Sequence, residues 1–318
     1  MSNPNIILDI PNFPTHLKHD ILNGKTIIFV GSGFSRLAGM PSWKELAKRR
    51  LEEVRKRELI SYETYHHLLN EKPLKILSIC ENFLDREKWH DCLCAGRDRE
   101  REKQIAALLA PFDSGFITTN YDDLLELVPI ENPSNAVTKF HKPHTGTKNY
   151  HVKEETTFDS FLIQPKHKVY YLHGKDLSDT NPPICTLQDY FKHYRREGKG
   201  RQILEELCAK KSILFIGVGL EEFEILEHIH MSRYENQHYA LIPMFLYEEK
   251  ILKQYRAYYG ILNIDILPYN ISKNGYEQLE NVLKEWGQKK KKKKDSFDDV
   301  SKHLQNNVLI DGVAHGLD

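Results

Sequence analysis

Cysteine is scarce in this 318-residue chain: Cys80, Cys92, Cys94, Cys185 and Cys208 are the only five. They are too few and too scattered for a disulfide scaffold. No paired C-x-x-C motif is present, and Cys92-Leu93-Cys94 has one intervening residue where a zinc ribbon needs two or more. No apolar run approaches the roughly 20 residues that span a bilayer. Met1 to Asp20 lacks the basic-then-apolar pattern of a secretory leader. Net charge is missing too, since 45 basic residues meet 45 acidic ones. These absences exclude the disulfide-stapled secreted class and the membrane-spanning class, and lead to the expectation of a cytoplasmic protein. What is present, 40% hydrophobic and 28% charged residues with a mean hydropathy of −0.56, suits a soluble globular chain with a sizeable core.

The zero charge is an average. Six basic residues form one block, Lys289 to Lys294, and without it 39 basic residues face 45 acidic ones, a net of −6. Such a block could attract nucleic-acid phosphates. With no aromatics interleaved it reads instead as a solvated tether, so the expected organisation is one domain over 1–286 followed by a Lys-rich linker and tail, 287–318.

Short apolar runs with β-branched and aromatic residues predict strands at Thr26–Val30, Gly115–Thr119, Lys168–Leu172, Ile213–Gly217, Tyr239–Leu246 and Ile261–Leu267. Between the first two lies a charged stretch with apolar residues at helical spacing, predicting an inserted helical layer over about 43–112. A final helix is predicted at Gly275–Trp286, and loops with a hairpin at Val128–Gln164. Alternation of strands and helices indicates an α/β fold, a Rossmann-like doubly wound parallel sheet. Its ligand crevice lies beyond the carboxyl ends of the strands.

Four strand exits carry suggestive chemistry. Gly31-Ser32-Gly33-Phe34-Ser35 reads either as a tight turn or as a loop whose amides meet a pyrophosphate; Arg36 breaks the full G-x-G-x-x-G fingerprint. Gly24-Lys25-Thr26 precedes its strand and is no P-loop. In Thr118-Thr119-Asn120-Tyr121-Asp122-Asp123 an aspartate is expected to cap the helical DDLLEL that follows, leaving Asn120 free to orient a sugar hydroxyl or a water. His173, followed by Gly174, is either a turn histidine or a general base, since an imidazole accepts a proton near neutrality. Gly217-Val218-Gly219 either touches a ribose or phosphate, or permits tight strand–helix packing. No metal site is expected: His141 and His144 have no cysteine or acidic partner at ligand spacing, and His66-His67 reads as solvated.

Taken in order, GSGFS…AGMPSW, TTNYDDLLE, YYLHG…TLQDY and LFIGVGLEE resemble the sirtuin-like NAD-binding domain of bacterial anti-phage defence proteins. YYGILNIDILPY extends the resemblance, which covers roughly residues 20–286. It implies that Gly31, Ser32, Gly33 and Ser35 hold the NAD pyrophosphate, and that Asn120 positions the nicotinamide ribose or the attacking water. It also implies that Asp122 contacts the carboxamide region, that His173 is the base, and that Gly217 and Gly219 lie on the adenosine side. Thr186, Asp189 and Tyr190 are expected as scaffold. The lack of paired C-x-x-C motifs, and Gly39-Met40-Pro41-Ser42-Trp43 in place of Gly-x-Pro-Asp-Phe-Arg, depart from protein-deacylating sirtuins. The implied activity is NAD hydrolysis at the nicotinamide–ribose bond, with NAD as substrate, in a homo-oligomer controlled by a separate partner. A HerA-type ATPase is the first candidate partner, and a short Argonaute or another sensor the next. The alternative from another class is a non-catalytic subunit that binds NAD or ADP-ribose.

Overall fold

The computed structural model describes residues 6–84, 92, 96–130, 158–174, 183–220, 223–231 and 236–289. The expectations for His141 and His144, for Cys94, for most of the 128–164 stretch and for the chain from 290 onward lie outside them. Six strands form one sheet: β1 (Thr26–Val30), β2 (Gly115–Thr118), β3 (Val169–Tyr171), β4 (Ser212–Ile216), β5 (His238–Met244) and β6 (Ile264–Asn270). Their spatial order is β3-β2-β1-β4-β5-β6 and every pairing is parallel. This is the doubly wound order, with its switch point between β1 and β4.

Three of the four inner strands, β1, β2 and β4, are buried along their whole length, which is why they read as unbroken apolar runs. Side chains alternate between two cores. Ile28 and Val30 join Phe34, Phe116, Ile216 and Trp286 on one face, whereas Ile27 and Phe29 join Phe161, Leu204 and Phe215 on the other. At the β6 edge, Leu8 forms a single parallel bridge to Tyr269 and accepts the Asn270 amide at 2.9 Å. Trp286 anchors the last helix, 278–289, by donating from Nε1 to the Pro11 carbonyl at 2.9 Å and stacking on Phe13. That helix runs to 289, three residues beyond the boundary read from the sequence.

The crossover from β1 to β2 carries the inserted helices. Short α2 (Ser32–Leu37) leads into α3 (Trp43–Lys56), α4 (Tyr62–Leu68), α5 (Pro73–Cys80) and α6 (Arg99–Ala107), preceded in the chain by α1 (Thr15–Leu22). The insertion has its own core of Leu46, Leu51, Val54, Leu68, Ile76 and Leu77, which also takes in Tyr121 and Cys185 from the sheet's carboxyl edge. Ser42 of the Pro-Ser-Trp stretch starts α3 through a reciprocal cap: its hydroxyl accepts the Glu45 amide at 3.2 Å, and Glu45 accepts the Ser42 amide at 2.7 Å. Ser42→Ala removes one half of this cap and should cost about 1 kcal/mol. The melting temperature should drop by about 2–4 °C; an unchanged melt would show that the cap contributes nothing.

Candidate functional site

Because all six strands are parallel, the four suggestive exits lie along one edge of the sheet. The switch-point pair comes first. After β1 and β4 the backbones touch: the Gly31 amide donates to the Ile216 carbonyl and the Gly33 amide to the Gly217 carbonyl, both at 2.9 Å. A Cβ on Gly31 or Gly33 would lie 2.5 or 2.8 Å from the Gly217 oxygen. Gly217 itself has φ +64°, and a Cβ there would come within 2.3 Å of the Phe34 nitrogen. These three glycines therefore allow the two exits to close on each other, and the packing reading of Gly217 accounts for its place. Both amides are donated to carbonyls of the β4 exit in this structure. Ser32, the first residue of α2, is the loop residue whose amide lies at the helix start. Gly219 is exposed just past the junction.

The β2 exit is tied to the β1 exit by a relay of polar groups. Thr118 donates from its hydroxyl to the Val30 carbonyl at 2.7 Å and accepts the Asn120 amide at 2.9 Å. This fixes Asn120, which is 9% exposed. Its Nδ2 donates to Ser35 Oγ at 2.9 Å, and the Ser35 hydroxyl bonds the Asp122 carboxylate. Asp122 also accepts the Leu124 amide at 3.1 Å, at the start of a single 3-10 turn, Leu124–Leu127. Desolvation pushes the Asp122 carboxyl above its ordinary value, opposed by the Ser35 and Leu124 bonds. The structure thus brings Ser35, Asn120 and Asp122 together, with Asp122 engaged in holding Ser35.

His173 follows β3 and is 2% exposed. Burial, with a smaller contribution from His193, pushes its pKa down to about 3, so the ring is neutral near pH 7. Nε2 lies 2.6 Å from the Tyr194 hydroxyl, and Gly174 behind it takes φ +75°, a turn that glycine adopts without strain. Tyr121 joins His173 to the insertion, its ring 6.4 Å from the imidazole and stacked on Trp43 at 5.7 Å. Its hydroxyl donates to the Ile184 carbonyl at 2.5 Å. Next to it, Asp123 pairs with Arg97 and Arg99, which also hold the fully buried Glu102 of α6. Arg97 and Arg99 hold the Asp123 carboxyl below its ordinary value against the effect of burial.

Sequence reasoning overlooked His193 and Tyr194, and it treated Tyr190 only as scaffold. Thr186 and Asp189 do form a capping box. The signal was the spacing of 190, 193 and 194, which share one helix face. Among the described residues no group of three or more His, Cys, Asp or Glu is placed to hold a metal ion, and no helix is long and apolar enough to cross a membrane.

Comparison with known proteins bears on the fold. Residues 114–264, from the approach to β2 through the start of β6, match the model of the SIR2-like domain. The chain is 26% identical over 246 residues to the NAD(+) hydrolase ThsA of Enterococcus faecium, an alignment covering 74% of this chain and 45% of that protein. The chain thus spans less than half the length of the relative it matches. The parallel sheet and its switch-point glycines make the molecule a Rossmann-like α/β protein, similar over residues 114–264 to the SIR2-like domain.

Proposed function

We propose that the chain is an NAD hydrolase that adds water across the nicotinamide–ribose bond, releasing nicotinamide and ADP-ribose in the anti-phage setting that the sequence resemblance implies. The observation that carries this reading is the Asn120–Ser35 bond beside the switch point, with a buried neutral histidine at the next strand exit. Nicotinamide leaves as a neutral base from a cationic glycoside, so no strong acid is needed. The transition state resembles an oxocarbenium ion, and the tasks left to the protein are orientation and charge placement. With its amide nitrogen on Ser35, Asn120 can turn its oxygen to a ribose hydroxyl or to the attacking water. A neutral His173 adds no positive charge beside the developing cation and accepts the proton released once water has bonded to the anomeric carbon.

Purified protein incubated with NAD, alone and with the protein encoded beside it, tests this by release of free nicotinamide. Asn120→Ala and His173→Ala should each lower the rate at least about 100-fold while the melting curve stays within a few degrees. Full activity in both variants would sink the assignment.

The second reading, a non-catalytic NAD or ADP-ribose binding subunit, is favoured by the closure of Tyr190 and Tyr194 over His173. It requires tight NAD binding without turnover under both conditions. The proposal includes a cytoplasmic homo-oligomer with a separate partner, a HerA-type ATPase before a short Argonaute. Its support is the row of exposed apolar side chains Tyr247, Ile251, Tyr255, Tyr258 and Ile261 on and around the helix Glu249–Gly260, a surface that assembly would cover. Light scattering of the protein alone and of the co-purified pair checks it; a monomer in both would remove this part.

A further inference from the structure

The helix Leu187–Tyr194 has no buried residue, yet it is pinned at both ends. Its start is held by the Thr186–Asp189 capping box and by the Leu187 amide donating to Ser78 Oγ of α5 at 2.8 Å. Its last turn faces His173. The ring centroids of Tyr190, His193 and Tyr194 lie 5.2, 6.0 and 5.8 Å from the His173 ring, all approaching edge-on. His193 is itself fixed: a ring N–H donates to the carbonyl of Leu172, the residue before His173. Its ring packs so closely on Gly200 that a Cβ there would meet it at 2.1 Å. With His193 held in this way, the adjacent Tyr194 has little freedom to leave its place.

A neutral imidazole carries one N–H donor and one lone pair, and its partners decide which nitrogen has which. At His173 the Tyr194 hydroxyl covers Nε2 at 2.6 Å. If His173 takes a proton in the crevice, Nδ1 is the nitrogen left to do so, and Nε2 must then hold the hydrogen. We infer that Tyr194 is a positioning residue for the reaction proposed above, its oxygen accepting the Nε2–H of His173 and so fixing the tautomer that presents the Nδ1 lone pair. The pairing resembles in logic the carboxylate that orients a catalytic histidine. A phenol oxygen does this without placing a negative charge in a dry site, where an unpaired carboxylate would be costly.

The test uses the full-length protein with ¹⁵N-labelled histidine. Two-bond proton–nitrogen correlation spectra report which ring nitrogen is protonated, and the His173→Ala spectrum assigns the signal. His173 should carry its proton on Nε2 in the wild type. In Tyr194→Phe the two tautomers should be mixed, with the melting curve unchanged. Nicotinamide release should then fall about 10-fold to 100-fold in kcat, with KM for NAD within about 2-fold, since ordinary substrate contacts are untouched. A wild-type His173 protonated on Nδ1, or a Tyr194→Phe spectrum identical to wild type, overturns the inference, as does a Tyr194→Phe kcat equal to wild type. If the wild type releases no nicotinamide, the hydrolase reading falls, and the spectra still decide whether Tyr194 fixes the tautomer.

Discussion

Gly217→Ala should destabilise the fold by several kcal/mol. The backbone there sits at φ +64°, a region that costs an L-residue roughly 1–2 kcal/mol. The added methyl would also lie 2.3 Å from the Phe34 nitrogen and 2.9 Å from the Gly33 carbonyl carbon. Both obstacles are backbone, so relief requires the β1 and β4 exits to part. Parting them breaks the Gly31–Ile216 and Gly33–Gly217 hydrogen bonds, each a net of about 0.5–1.5 kcal/mol. Together the losses reach roughly 2–5 kcal/mol, against a total of about 5–15 for an ordinary domain. Gly39→Ala is the control: Gly39 also has positive φ, +83°, but a Cβ there meets nothing within 4 Å. It should show only the conformational cost, about 1–2 kcal/mol. Urea unfolding midpoints of the two variants separate the terms, and a Gly217→Ala midpoint equal to that of Gly39→Ala would refute the steric argument.

The same junction shows what could be read from sequence and what could not. Inner parallel strands are apolar on both faces, so β1, β2 and β4 were visible as runs, and their exits as candidate site positions. Strand order is not written locally, so the convergence of Gly31 and Gly217 at the switch point emerged only with the fold. Local sequence left the glycines open between phosphate cradle and packing, because both need a bare backbone; the close approach of the two exits is visible only in three dimensions. The strand read at Ile261–Leu267 is displaced to Ile264–Asn270, since YYGILNIDIL is apolar throughout and has no period to divide it. Asn263, at φ +52°, makes the division in the turn between the helix Glu249–Gly260 and the strand. Asn120 and His173 were legible as polar residues directly after strands. Tyr194 was not, because its spacing with Tyr190 and His193 marks only a helix face. What that face meets lies 21 residues earlier in the chain.

Acid should unfold this protein well above the pH at which its carboxylates titrate. Burial pushes the pKa of His173 down to about 3 and those of His193 and His238 to about 4. His238 uses its Nδ1 lone pair to accept the Ile213 amide at 3.2 Å, so protonation there would set two donors against each other. In the unfolded chain the same residues bind protons near pH 6.5. Between about pH 6.5 and 4 the unfolded state therefore holds more protons than the folded one. Stability must fall as pH falls across that window and level off below the folded values. His173 and His238 are fully buried and His193 half-buried, so two to three protons are involved, a slope of about 3–4 kcal/mol per pH unit at its steepest. From pH 7.5 to 5.0 the loss sums to roughly 4–6 kcal/mol, comparable with the whole stability of a domain. Asp113 and Asp123 are held below their ordinary values, so their contributions disappear only at lower pH. Asp122 and Asp265 are raised and act in the opposite sense. Urea midpoints at pH 7.5 and 5.0 measure the loss. His238→Asn keeps an acceptor for the Ile213 amide but cannot titrate, and should reduce the slope by about one proton, about 1.4 kcal/mol per pH unit. Equal midpoints at the two pH values would mean that these histidines are not kept neutral by the fold.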